Sequence, residues 1–133
     1  MIVKIVDKVD DYKKAIEMSC NILEDRGSIE KSYFDAIMKK IDDYGAYFCI
    51  APKLAMPHAR PEDGAIKTDL CVLKLNEPVD FLGKETSLFL TLSSIDNNSH
   101  LALMQKVASI CMDECKLNKI LNSNKEEEIM EVM

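Results

Sequence analysis

Asp69-Leu70-Cys71-Val72-Leu73-Lys74-Leu75, followed by Ser87-Leu88-Phe89-Leu90-Thr91-Leu92, is the stretch on which the fold turns. Both runs are short, apolar and rich in strand formers, and Pro78 and Gly83 fall in the connection between them. They read as two strands. Upstream the pattern changes to helical. Asp10 or Asp11 caps a helix running to about Arg26, with Ala15, Ile16, Cys20 and Leu23 on its apolar face and Gly27 as its stop. Ser28-Ile29-Glu30-Lys31 signals a second start, after which Tyr33, Phe34, Ile37, Met38 and Ile41 keep helical spacing as far as Gly45. Tyr47-Phe48-Cys49-Ile50-Ala51 reads as a further strand, and Leu54-Ala55-Met56 as a short one with His58 at its end. Arg60 to Thr68 is a polar loop. Downstream, Ser93 to Ser99 forms a polar turn before a helix from His100 to about Glu114, with Leu101, Met104, Val107, Ala108 and Cys111 on its face. Short helices follow near Lys116 to Leu121 and Lys125 to Val132. Helices on both sides of a strand-rich middle imply a layered α/β domain with one sheet, spanning residues 1–133.

Composition bounds what such a domain does. With 133 residues, 47% apolar and 30% charged, the chain is large enough to bury a core without staples and is globular in character. No apolar run approaches a membrane span, and Met1-Ile2-Val3-Lys4 lacks a signal-peptide pattern. A net charge of -6 argues against nucleic acid as the main partner, because that affinity comes from counterions released around Lys and Arg. It leaves room for a protein partner with a basic face. The five cysteines form no Cys-x-x-Cys pair. Cys49 and Cys71 sit in apolar runs as small hydrophobes, while Cys111 and Cys115 make no closed zinc site on their own. This usage fits the cytosol.

The chemistry concentrates elsewhere. Ala55-Met56-Pro57-His58-Ala59-Arg60-Pro61 holds one of two histidines and one of two arginines, bracketed by two prolines that restrict the backbone. The other histidine lies in Asn97-Asn98-Ser99-His100-Leu101, directly before the helical pattern. A neutral imidazole is nucleophilic at pH 7 and can release what it has taken. Carrying a phosphoryl group needs little more than in-line approach and dipoles that spread charge over the equatorial oxygens. Backbone N–H groups of Asn97, Asn98 and Ser99 at a helix start suit an anion. His100 supplies a donor, and Arg60 a cation for phosphoryl oxygens or for an acidic group on a partner. Taken singly, each histidine is an ordinary surface or first-turn residue; Glu62 and Asp63 either orient His58 or belong to a polar loop. The reading of a phosphoryl carrier depends on the two imidazoles meeting in the fold.

The segment Ile50-Ala51-Pro52-Lys53-Leu54-Ala55-Met56-Pro57-His58-Ala59-Arg60-Pro61-Glu62 resembles the active-site segment of Enzyme IIA proteins of the bacterial phosphoenolpyruvate-dependent sugar phosphotransferase system. Within them it is most similar to the ascorbate-type branch of the fructose–mannitol superfamily, and Asp96-Asn97-Asn98-Ser99-His100-Leu101 resembles the second-histidine segment. The resemblance implies a single-domain sandwich of helices around a central mixed β-sheet. It implies that His58 accepts a phosphoryl group from the phosphocarrier HPr and passes it to a cysteine of Enzyme IIB, with His100 beside it. Enzyme IIC is then met only indirectly, and neither metal nor organic cofactor is needed. The oligomeric state stays open, a dimer included. Two departures stand out: Lys53 occupies a place where the family usually has glycine, and the upstream arginine of the mannitol-type branch falls near Lys39 and Lys40, so the site's cation is assigned to Arg60. The rival readings are a regulatory module that signals phosphorylation state by docking, and a metal-assisted hydrolase, which has no ligand spacing behind it.

Overall fold

A computed structural model describes residues 1–133. Four strands form one mixed sheet in the order β1-β3-β4-β2, with β1 at Ile2–Val6, β2 at Lys53–Ala55, β3 at Asp69–Phe81 and β4 at Lys84–Ser93. β3 and β4 pair antiparallel as a hairpin, while β1 runs parallel to β3 and β2 parallel to β4. The helices are α1 (Tyr12–Asp25), α2 (Ser32–Tyr44), α3 (Asn97–Cys111), α4 (Glu114–Leu121) and α5 (Glu126–Val132).

Side chains of a strand alternate between faces, and the core divides accordingly. Cys71, Leu73 and Leu75 of β3 and Phe89 of β4 pack with Ala15, Ile16, Cys20 and Leu23 of α1 and with Tyr33, Ile37 and Ile41 of α2. Leu70 and Val72 of β3 and Leu88, Leu90 and Leu92 of β4 pack with Val107, Ile110, Ile120 and Ile129 of the last three helices. The expected layering of helices around a mixed sheet is what the chain adopts. Lys74 is the exception on the second face. Buried in mid-strand, its Nζ donates to the Ser123 carbonyl (2.9 Å) and to Asn76 Oδ1 (3.0 Å), pinning the α4–α5 link to the sheet.

Asp11 caps α1 by accepting from the Lys14 amide, and Gly27 ends that helix at φ 73°. Where β3 begins, the buried Asp69 carboxylate accepts from Arg26 Nε (2.8 Å), Ser28 Oγ (2.6 Å) and the Leu70 amide (2.8 Å), and it lies 3.1 Å from the Met1 amino group. Burial pushes its pKa up, but these partners outweigh burial and hold it well below the usual carboxylate range.

Several sequence expectations need correction. Tyr47–Ala51 is a turn, not a strand: Phe48 is buried as a plug, and its carbonyl takes the Met56 amide while Tyr47 and Ile50 stay exposed. Ile2–Val6, unassigned from the sequence, is the edge strand β1. Pro78 lies inside β3, at a break in the β3–β4 register between Lys74 and Val79, so a missing N–H costs no ladder bond there. The third helix starts at Asn97 and stops at Cys111, and Glu114 opens α4. Leu101 and Ala108, expected on the buried face of α3, are exposed. Lys53 adopts the left-handed conformation (φ 66°) that a glycine takes without strain, at a cost of roughly 1–2 kcal/mol.

Candidate functional site

The chain on either side of His58 is fixed by backbone bonds. Before it, the Met56 amide donates to the Phe48 carbonyl (2.9 Å) and the Pro57 carbonyl accepts from the Leu92 amide of β4 (3.1 Å). After it, the Ala59 amide donates to the Tyr33 hydroxyl of α2 (2.9 Å). Met56, Pro57 and Ala59 are buried, and the His58 ring is half-buried. Pro57 has no N–H to pair, yet it presents no open edge. It is a core residue whose carbonyl is paired.

The ring itself has one fixed nitrogen. His58 Nδ1 lies 2.9 Å from the Met56 carbonyl oxygen, which can only accept, so Nδ1 carries the proton and Nε2 keeps its lone pair. Phe48 meets the ring edge-on at 5.3 Å and 62°. Burial lowers the His58 pKa from the ordinary 6.5; the Met56 carbonyl works against that, and the nearby His100 and Lys40 charges add to it. The imidazole is neutral at pH 7.

His100 arrives from beyond the C-terminal end of β4, in the first turn of α3, with its ring centroid 5.2 Å from that of His58. The two histidines do meet. They share a shallow hollow of about 180 Å³ lined by Lys40, Ala59, Arg60, Pro61 and Asn97. Asn98 and Ser99, expected to offer amides to an anion, are outside its wall. The Ser99 amide is already taken by the capping carboxylate of Asp96 (2.7 Å). Arg60 reaches the hollow but is held by its own loop. Its Nε is 3.3 Å from Asp63 Oδ2 and 3.6 Å from Glu62 Oε1, and its amide donates to the same Asp63 oxygen. Glu62 and Asp63 thus serve Arg60; the partner that orients His58 is a main-chain carbonyl.

Sequence reading placed Lys39 and Lys40 near the upstream arginine of the mannitol-type branch but assigned the site's cation to Arg60, not to Lys40. It lies on α2, half-buried, facing His58, and makes no ion pair of its own. The signal was its position: Tyr33, Ile37 and Ile41 form the buried stripe of α2, and Lys40 borders it. Tyr33, taken only as a core residue, proves to hold the His58 segment. A larger hollow of about 460 Å³ between Cys49–Lys53 and Lys84–Thr86 contains no paired imidazole or other nucleophile–base couple.

Comparison with known proteins places the chain in a family. Residues 2–133 match the family described as phosphoenolpyruvate-dependent sugar phosphotransferase system, EIIA 2. The chain is 31% identical over 133 residues to the mannitol-specific cryptic phosphotransferase enzyme IIA component of Escherichia coli (strain K12), covering 98% of this chain and 90% of that one. It is 26% identical over 136 residues to the ascorbate-specific PTS system EIIA component of the same organism, with coverage of 98% and 88%. A solution structure of the mannitol-specific cryptic enzyme IIA from Escherichia coli matches with a TM-score of 0.90 at 31% identity, covering 97% of this chain and 89% of that one. The mannitol- and ascorbate-named relatives lie side by side, so the ascorbate leaning of the sequence is not singled out.

Proposed function

The chain belongs to the EIIA 2 family of the phosphoenolpyruvate-dependent sugar phosphotransferase system, and on that premise we propose that it is a cytoplasmic phosphoryl carrier that loads and unloads His58. The observation that carries this reading is the pair of imidazoles 5.2 Å apart, one of them with its proton tied to a carbonyl.

His58 Nε2 attacks the phosphorus carried by HPr. The N–P bond forms as the donor's bond to phosphorus breaks, and that electron pair leaves with the donor. The proton stays on Nδ1, donated to the Met56 carbonyl, throughout. His100 and Lys40 donate to the equatorial oxygens, where charge is spread in the transition state. Arg60, neutralised by Asp63, faces the partner at the rim, as do Asn98 and Ser99. In the second half-reaction a cysteine thiolate of Enzyme IIB attacks the same phosphorus, and the electron pair returns to Nε2. The sugar handled downstream is of the mannitol or ascorbate type, and nothing in the hollow reads it.

Incubation with phosphoenolpyruvate, Enzyme I and HPr tests the assignment. The expected product is a single phosphoryl group, acid-labile and base-stable, that moves to Enzyme IIB and is absent from His58→Ala. Equal labelling of His58→Ala would remove the role.

A further inference from the structure

Given that reading of His58, we infer that Tyr33 is a positioning residue that sets where the nucleophile stands by occupying a place in the β-ladder. Parallel β2 and β4 pair Leu54 with Leu88 and Ala55 with Phe89, and the same register sets His58 opposite Leu92. In a parallel ladder the residue opposite His58 donates its amide to the carbonyl before His58 and accepts from the amide after it. The first bond is present, from the Leu92 amide to the Pro57 carbonyl at 3.1 Å. The second is replaced. The Tyr33 hydroxyl stands between its two partners, accepting from the Ala59 amide at 2.9 Å and donating to the Leu92 carbonyl at 2.8 Å. The Ala59 carbonyl, at 3.2 Å, is the poorer acceptor for the one hydroxyl proton.

One oxygen atom thus wedges the two strands apart at the level of the nucleophile. With the ladder opened there, the chain beyond Pro57 turns out of the sheet, and the His58 ring projects into the hollow beside His100. The tyrosine is fully buried and its hydroxyl bonds only to the main chain of Ala59 and Leu92, so its effect passes through the main chain. Lys40 is on the same helix, two turns on, so α2 fixes both the height of His58 and the cation facing it.

Tyr33→Phe keeps the aromatic packing and removes the wedge. The Ala59 amide and Leu92 carbonyl can then close directly and draw His58 toward the sheet. Labelling by phosphorylated HPr should slow on the order of 10- to 100-fold, as expected for a displacement near 1 Å at a reacting group. The ¹⁵N shifts of His58 should show loss of the uniform Nδ1–H tautomer. Ile37→Val, which thins the same helix face without touching the ladder, should leave both rate and tautomer as in the wild type. An amide-to-ester replacement at Ala59 removes the donor to that hydroxyl without altering the core; His58 is then released from Tyr33 instead of drawn to the sheet, and labelling should slow and the uniform tautomer be lost even if Tyr33→Phe folds poorly. Wild-type rate and tautomer in either folded variant would overturn the inference. Failure of the wild type itself to label on His58 would instead overturn the function on which the inference rests.

Discussion

His58 ends a segment whose main chain is bonded before and after it and whose own ring is tethered, whereas His100 sits in a first helical turn anchored at one point. That point is the Asp96 cap, which holds Ser99 and leaves the His100 side chain with no bond of its own. The difference separates the two roles. An attacking atom must be held in line to within a fraction of an ångström, while a donor to a spreading charge works over a wider range of positions. In the proposed reading, a nucleophile set in main-chain bonds and a second ring without a hydrogen bond of its own is the arrangement a reversible carrier needs.

Breaking the pair from the helper's side gives the largest effect short of removing His58. His100→Ala should slow onward transfer to Enzyme IIB by roughly 10²–10³-fold, the loss of about 2.7–4 kcal/mol found for one donor to a developing anion, while labelling still goes to completion. Single-turnover rates check it, and a rate within a factor of two of the wild type would show that the second ring does nothing. Lys40→Met sharpens the comparison by removing the unpaired cation and leaving both histidines. Losing one charge-assisted bond of about 1.5–3 kcal/mol should slow transfer roughly 10- to 100-fold, and the His58 pKa should rise. Arg60→Met, with its charge already paired, should cost less.

The pH profile follows from the lowered pKa of His58. Below the ordinary 6.5 an unfolded chain binds the proton that the folded ring refuses, so the contribution to stability is fully present above that pH. It is lost as pH falls from 6.5 toward the folded value. Labelling should therefore be flat from pH 8 to 6.5 and decline only below it; an NMR midpoint for His58 above 6.5 would contradict this. Asp96→Ala should have the smallest effect. Loss of the cap costs about 1 kcal/mol in chemical denaturation, with the His58 tautomer unchanged. A tautomer change there would mean that the two settings are not independent.

These contrasts also show what the sequence could and could not disclose. The stiff Pro57–Pro61 frame, the helix-start signal before His100 and the two apolar strand runs were legible because each is a local property. Phe48 was misleading, because a turn that plugs a core has the same composition as a strand; only the Met56–Phe48 bond distinguishes them. β1 escaped because Lys4 interrupts a short edge run, and edge strands tolerate such a residue. Lys40 and Tyr33 could not be assigned from their neighbours. Their roles come from α2 packing across a later segment, 26 residues on in the case of Tyr33 and Ala59, a tertiary fact with only a faint trace in the buried stripe of α2.

The carbonyl of Met56 has one last consequence for energetics. While the Nδ1 proton is kept in place, a loaded imidazole bears positive charge and departs readily from phosphorus; without it, the ring would become a far more basic and sluggish leaving group. In the proposed cycle a single peptide oxygen would thereby keep the stored group at high transfer potential, and the ring would return to its starting state with no proton drawn from solvent.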